Sequence, residues 1–408
     1  MLRLLALCTT LALSACGGSS ASSAPPAPTA ATSFNLAVIP DTQFYSENNE
    51  RGFLNLNPRY PKLPFEPIRG FQGITQWLAD HADDYQVAFA VHVGDIVQSG
   101  TEKKNEWKRA DAAMARLEAA GVPYSLAPGN HDVRDKNQQD SERTHNKELF
   151  LDYFGRNRTA NGASLISKDP LGYSEARHFT ALGQRFMVLA LDWRTSDATL
   201  QWANEMVAQH PNTPVIVASH DILDVDLAQH QAVVTGNGER LWEKLIRHHD
   251  QIFMTISGHN HHAARTQRFN DQGLSVDMIL VDYQDEYAGG NGLMRLLEMD
   301  LAAGTVTALT FSPWVLEKYR DSGLHNIVKD CPDLLTTADC DQLQPQPNVE
   351  QPGIHLDHQY RFALDFRQRF APFRGFTASV GQVPFEPSLS DLLREELAAA
   401  AAAFNATR

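Results

Sequence analysis

The chain is poor in cysteine and carries no surplus of positive charge. Four cysteines in 408 residues are too few for a small scaffold held together by disulfides. Lys and Arg total 35 against 49 Asp and Glu, a formal net charge of -14. That balance excludes a surface built to wrap nucleic acid or to bind anionic lipid by charge. Charge of one sign is nowhere concentrated in a long block, and apolar residues reach 43%, so a disordered chain is excluded as well. What remains is a protein long enough to bury a large core, in one big domain or two.

The first twenty residues, MLRLLALCTTLALSACGGSS, are expected to be a targeting segment. Arg3 supplies a short positive region, and the apolar stretch Leu4 to Leu13 is too short to span a bilayer. The sequence Leu13-Ser14-Ala15-Cys16 resembles a bacterial lipobox, in which Cys16 would be lipidated and become the mature N-terminus. A plain secretory signal ending in Ala-x-Ala is the alternative. Residues 1–15 then form the signal and 16–33, with GGSSASSAPPAPTAAT, a flexible tether. Gly17 in place of aspartate implies, by that resemblance, outer-membrane sorting, with the membrane reached through the N-terminal lipid anchor. In an exported chain the remaining pair, Cys331 and Cys340 in CPDLLTTADC, suggests a disulfide worth about 2–3 kcal/mol for so short a loop. Two free thiols or a metal pair are the alternatives.

From Phe34 the pattern is that of an α/β fold. Short, near-continuous apolar runs at Phe34–Ile39, Val87–Val93, Tyr124–Ala127, Phe186–Leu191, Pro214–Ser219 and Ile252–Ile256 suit strands buried on both faces. Between them lie helical stripes: Phe71, Ile74, Trp77 and Leu78; Trp107, Ala110, Met114 and Leu117; Leu200, Ala203 and Val207; and a weaker one at Leu241, Leu245 and His248. Alternation of strand and helix predicts parallel strands with right-handed crossovers. After His262 the texture turns to strands with few helices, at 264–269, 274–281, 292–299 and 305–311, read as antiparallel structure added to the same core. Residues 133–184 are polar, with one helix near Lys147–Tyr153, and read as a lid over a site. Residues 313–408 read as a C-terminal extension: a loop carrying the cysteine pair, a final strand over Tyr360–Phe366 and a terminal helix over Leu392–Ala403.

Residues of metal-ligand type fall at the ends of these strands. The first ends in Pro40-Asp41-Thr42-Gln43, the second in Gly94-Asp95, the third in Gly129-Asn130-His131-Asp132. The fifth ends in His220 and the sixth in Gly258-His259-Asn260-His261-His262. Carboxyl ends of parallel strands line one crevice in an open α/β sheet, so five strands deliver these side chains to one edge. Each cluster alone is weak, since loops collect histidines by chance; five in order, each at a strand terminus, are strong. The donor set is oxygen and imidazole without sulfur, which suits Mn, Fe or Zn.

The residues resemble the calcineurin-like metallophosphoesterases, whose motifs run D-x-H, GD, GNH[DE], H and GHxH. The likeness covers Asp41 to His261, and the domain is expected over 34–312. It implies a four-layer αββα sandwich and two divalent metals. Asp41, Gln43, Asp95 and His261 would hold the first, and Asp95, Asn130, His220 and His259 the second. Asp95 would bridge, and His131 would reach the substrate's oxygens. The reaction implied is hydrolysis of a phosphomonoester or phosphodiester by a metal-bridging hydroxide attacking phosphorus. Gln43 departs from the family's usual histidine; an amide oxygen is the weaker donor, so the first site should bind metal less tightly. The chain lacks the tyrosine that follows GD in purple acid phosphatases (Gln98 closes GDIVQ) and the GDxVDRG of serine/threonine protein phosphatases. A hydrolase acting on another electrophile, or a binding lipoprotein on the same fold, is the rival.

Several neighbours are expected to be bystanders. His92 reads as a core histidine, His262 as adjacent to the site, and the pairs His248-His249 and His355/His358 as solvated. Asp132 and Asp221 are either orienters of the ligands or loop residues. Arg134 and Arg265 are candidates for phosphate contact. Asp282-Tyr283-Gln284 followed by Gly289-Gly290-Asn291-Gly292 reads as a turn-rich loop flanking the crevice and is assigned no chemistry.

Overall fold

The computed structural model describes residues 31–48, 67–155, 158, 164–229, 231–284, 287–320 and 359–376, with single positions between 393 and 406. Cys16, Cys331, Cys340, His355 and His358 lie outside these residues, as does most of the expected terminal helix. The strands are β1 (Ser33–Ile39), β2 (Val87–His92), β3 (Tyr124–Leu126), β4 (Leu165–Lys168), β5 (Glu175–Ala181), β6 (Gln184–Leu191), β7 (Val215–Ser219) and β8 (Leu223–Asp226). They continue as β9 (Gln231–Val234), β10 (Ile252–Ser257), β11 (His262–Phe269), β12 (Ser275–Asp282), β13 (Met294–Asp300), β14 (Thr305–Phe311) and β15 (Gln359–Ala363). The helices are α1 (Gln43–Glu47), α2 (Ile68–His81), α3 (Lys104–Ala120), α4 (Leu149–Phe154), α5 (Asp197–Gln209), α6 (Gly236–Lys244), α7 (Pro313–Arg320) and α8 (Phe366–Phe370).

Two mixed sheets share the strands. One has the order β15-β14-β13-β1-β2-β3 and the other β11-β12-β10-β7-β6-β5-β4, with β8 and β9 as a separate hairpin. Strands β1, β2 and β3 are parallel, as are β6, β7, β10 and β12, while β13 to β15 add antiparallel neighbours to the first sheet. Successive side chains of β6 show how the layers form. Phe186, Val188 and Ala190 join the core shared with Phe34, Phe89 and Phe179, whereas Met187, Leu189 and Leu191 pack with Leu200, Ala203 and Val207 of α5 and Leu241 of α6. The period of two therefore gives sheet two one face against sheet one and another against helices. The stripes on α2 and α3 are buried as their spacing predicts; the two helices pack against each other, and α2 also packs against α7. The result is the expected four-layer α/β sandwich.

Three expectations change. Residues 274–281 do not run wholly antiparallel: β12 pairs antiparallel with β11 but parallel with β10, Met254 opposite Asp277. Residues 133–184 are more than a lid, because they contribute β4 and β5 to the second sheet. They are also pinned by a fully buried bidentate pair, Arg143 Nη1 and Nη2 to Asp192 Oδ1 and Oδ2 at 2.7 and 2.9 Å. The polar composition that suggested a lid is the composition of this internal pairing. Helix α7 occupies residues expected to be loop. Its first residue is a proline, which the missing N–H suits to a helix start.

Candidate metal centre

The second ligand group expected from the sequence converges on a buried carboxylate. Asp95 follows Gly94 at the end of β2 with φ at 48°, and His259 follows β10 with φ at 71°. Both are left-handed conformations that non-glycine residues hold at a cost of order 1–3 kcal/mol, a strain that clusters at functional sites. His220 Nε2 lies 3.3 Å from Asp95 Oδ1 and 3.2 Å from Asn130 Oδ1. Ligand atoms of Asp95, His220 and His259 all lie within 4.8 Å of one another. Asp41 joins them from β1: the His259 backbone N–H donates to its Oδ2 at 3.2 Å.

The donor atoms fit a cation. His220 Nδ1 donates to the Val93 carbonyl at 3.0 Å, which turns Nε2 toward the Asp95 and Asn130 oxygens, where it binds a proton or, in its place, a cation. Burial opposes a charge on His220, yet Asp95 and Asp41 outweigh it and push the ring up to about 10. The same contest holds Asp95 at about 2: burial works to raise it, and His220 and His131 prevail. Asp41 is raised well above the usual carboxylate range, by burial first and then by the charges of Asp282 and Asp95. A pocket whose carboxylates repel and whose imidazole takes up a proton to compensate is one that a divalent ion would satisfy. Gln43, buried at the start of α1, has an Oε1 with no hydrogen-bond partner.

Backbone shape makes room for these oxygens. A Cβ at Gly129 would fall 2.1 Å from Asp95 Oδ1, and one at Gly258 2.2 Å from Asp41 Oδ1. Around them runs a frame of buried hydrogen bonds. Asp132 accepts from the N–H groups of Ile96, Val97 and Gly129 at 3.1, 3.0 and 2.8 Å, tying the loop after β2 to the loop after β3. It is therefore an orienter, raised to about 8 by burial and by Asp95. Asp221 does the same for the loop after β10 by accepting from Asn260 at 3.3 Å. His92 is the expected core histidine. Its Nδ1 accepts from Gly94 N–H and its Nε2 meets Thr42 Oγ1 at 3.0 Å, and burial lowers it to about 3.

His131 is half-buried, and its backbone N–H donates to Asp95 Oδ1 at 2.9 Å. Its Nδ1 donates to the Gln98 carbonyl at 2.8 Å, which fixes the ring and leaves Nε2 for chemistry. Arg134 and Arg265 are occupied elsewhere: the first bonds the Lys147 and Thr101 carbonyls, the second pairs with Asp277 and lies over Phe362. His248 is exposed and bonds Asp271, while half-buried His249 bonds Asn204.

Two contacts around the site were assigned no role from the sequence. Trp193, after β6, sets its ring edge-on to His220 and His259 with centroids 5.6 and 4.8 Å away, an apolar wall on the site. Gln284 accepts a hydrogen bond from Gln43 Nε2. The signal for Gln284 was present: like the ligands it follows a strand, β12, but only a parallel strand brings its carboxyl end to this edge.

The sequence profile of calcineurin-like phosphoesterases matches residues 34–263, more than half of the chain. An uncharacterized protein of Bacillus subtilis, YvnB, is 29% identical over 306 residues, which are 72% of this chain and 21% of that protein. A probable cyclic nucleotide phosphodiesterase of Psychrobacter arcticus is 23% identical over 169 residues, 41% of this chain and 54% of its own. The chain thus spans about a fifth and about half of these two relatives. Among solved structures, a dimetal phosphatase of Danio rerio is similar at 16% identity and TM-score 0.44, covering 69% of this chain and 96% of that one. A purple acid phosphatase of yellow lupin has 13% identity and TM-score 0.44 and covers 71% and 53%. With its profile matched across both sheets and its motif residues gathered at one edge, the chain belongs to the calcineurin-like phosphoesterase family.

Proposed function

We propose that this protein is a dinuclear metal-dependent phosphoesterase that hydrolyses a phosphomonoester or phosphodiester. The observation that carries the reading is the meeting of His220 Nε2 with Asp95 Oδ1 and Asn130 Oδ1 at 3.3 and 3.2 Å, with His259 beside them, atoms of metal-ligand type converging in a buried site. Asp95, Asn130, His220 and His259 would hold one ion; Asp41, Gln43, Asp95 and His261 the other, with Asp95 shared. Two divalent cations there, Mn, Fe or Zn by the donor set, would lower the pKa of water to supply the nucleophile and neutralise charge at the phosphoryl oxygens. His131 orients and donates. Its Nδ1–H is held by the Gln98 carbonyl, so the imidazolium form presents Nε2–H to the leaving oxygen. Trp193 keeps one wall dry, which strengthens each charge interaction inside.

Metal analysis of the purified chain, stripped and reloaded, tests this together with assays on p-nitrophenyl phosphate and bis(p-nitrophenyl) phosphate. Two equivalents of metal are expected, with turnover lost on chelation and restored on reloading. A chain that holds no divalent metal and turns over neither substrate would sink the reading.

The sequence supports export and anchoring through lipidated Cys16 at the outer membrane, without nucleic acid as a partner. Cys16→Ser should move the protein out of the membrane fraction; partitioning identical to wild type would refute the anchor.

A further inference from the structure

We propose that Gln284 is the positioning residue of the first metal position, holding the Gln43 amide so that its oxygen faces the ion. The inference rests on the two-metal reading above. An imidazole offers a nitrogen lone pair whichever neighbour it has, but a carboxamide has one oxygen and one NH2 on similar arms. Turned the wrong way, Gln43 would present two N–H donors to a cation. Selecting the correct rotamer requires an acceptor for the nitrogen on the side away from the metal, because a buried N–H2 without a partner costs about 1–3 kcal/mol.

Gln284 supplies that acceptor. Gln43 is 3% exposed and Gln284 6%, and Gln43 Nε2 donates to Gln284 Oε1. The Gln43 Oε1 that remains is buried with no hydrogen-bond partner. The main chain at Gln284 is held in turn, since its backbone N–H donates at 2.9 Å to Oδ1 of Asp282 at the end of β12, and the Gln284 side chain is buried. The other Asp282 oxygen, Oδ2, is a second buried acceptor without a donor, and its charge reaches Asp41. Two buried acceptor oxygens left without donors, one of them on a carboxylate whose charge acts on Asp41, are what a hard cation would satisfy. The contact also crosses the sandwich: Gln43 follows β1 in one sheet, and Gln284 follows β12 in the other. The departure from histidine at position 43 is thereby matched by a partner 241 residues away.

The test is calorimetric titration of Mn2+ into the metal-stripped full-length chain. Gln43→Ala identifies the step belonging to the first position. Gln284→Met, close in volume but without the acceptor, should weaken that same step by about 10–100-fold, the usual effect of losing a ligand's supporting partner. The other step should be unchanged, which a general loss of structure would not permit. Gln284→Glu keeps an acceptor oxygen and should restore the affinity, and in the Gln43→Ala background Gln284→Met should add nothing. Should Gln284→Met not fold, Gln284→Ala replaces it with the same expectation. Wild-type affinity in Gln284→Met beside a weakened Gln43→Ala would overturn the positioning role and leave the metal reading intact. Additive losses in the double variant, or equal losses in Gln284→Met and Gln284→Glu, would overturn it too. Wild-type binding in Gln43→Ala would instead remove Gln43 from the ligand set, and the role of Gln284 with it.

Discussion

Gly129→Ala should disable the metal centre although it changes no ligand. The added Cβ would lie 2.1 Å from Asp95 Oδ1, 2.8 Å from its Cγ and 2.4 Å from its backbone nitrogen. Carbon and oxygen need more than 3 Å, so Asp95 must retreat by about 1 Å, and the backbone contact prevents relief by a side-chain rotation alone. Interiors this densely packed charge about 1–3 kcal/mol for such an insertion. The functional loss should be larger, because misplacement of a reacting group by about 1 Å can cost about 100-fold. Asp95 also holds the His131 N–H at 2.9 Å and lies 3.3 Å from His220, so its retreat disturbs both. The control is Gly236→Ala at the first turn of α6, where an added Cβ meets nothing within 4 Å. Metal content by mass spectrometry, melting temperature, and kcat/KM on the two p-nitrophenyl esters are measured for both. Expected are a folded Gly129→Ala with less than its full metal and turnover at least about 100-fold down, and a Gly236→Ala that behaves as wild type. Full metal content with wild-type turnover in Gly129→Ala would falsify the claim that the glycine exists to admit the Asp95 carboxylate.

Other consequences are as direct. Asp95→Asn removes the charge shared by both positions and should leave the purified protein with at most one metal and no turnover; two retained equivalents would show that Asp95 does not bridge. His131→Ala should keep both metals and lose about 10²–10⁴-fold in kcat, and undiminished turnover would make the ring structural. Burial works to raise the Glu175 carboxyl, but Lys168 and Arg177, at 3.1 and 2.7 Å, hold it at about 2. A depressed carboxyl contributes stability above its unfolded value near 4.5 that is lost as pH falls toward 2. The melting advantage of wild type over Glu175→Gln should therefore be full at pH 6 and shrink between about pH 5 and pH 2; a gap independent of pH would refute it. A non-reduced digest should show Cys331 and Cys340 in one linked peptide, and two freely alkylated thiols would exclude the bridge.

Local pattern and tertiary context contributed differently. Strands buried on both faces announce themselves as unbroken apolar runs, which is why β1, β2, β7 and β10 were legible to within two residues. Their ends were legible too, because a ligand placed by a parallel strand needs only that strand's direction and a turn after it. Asp41, Asp95, Asn130, His220 and His259 are accordingly gathered where the motif order put them. Residues 165–181 were missed as strands because they carry charged side chains, Lys168, Glu175 and Arg177, that read as loop in the sequence but are buried as ion pairs in the fold. The direction of β12 was missed because hydrophobic periodicity does not encode whether a neighbour is parallel. Once β12 lies parallel to β10 its carboxyl end arrives at the site, and Asp282 and Gln284 come with it.

By itself, then, the sequence determined which family the chain belongs to, since residue types and their places at strand ends are local properties. Only the tertiary structure decided which way the Gln43 amide is turned, whether Asp132 and Asp221 hold loops, and which arginines are already spent. Those are questions of partner and orientation across two sheets, settled by contacts between residues as distant as Gln43 and Gln284.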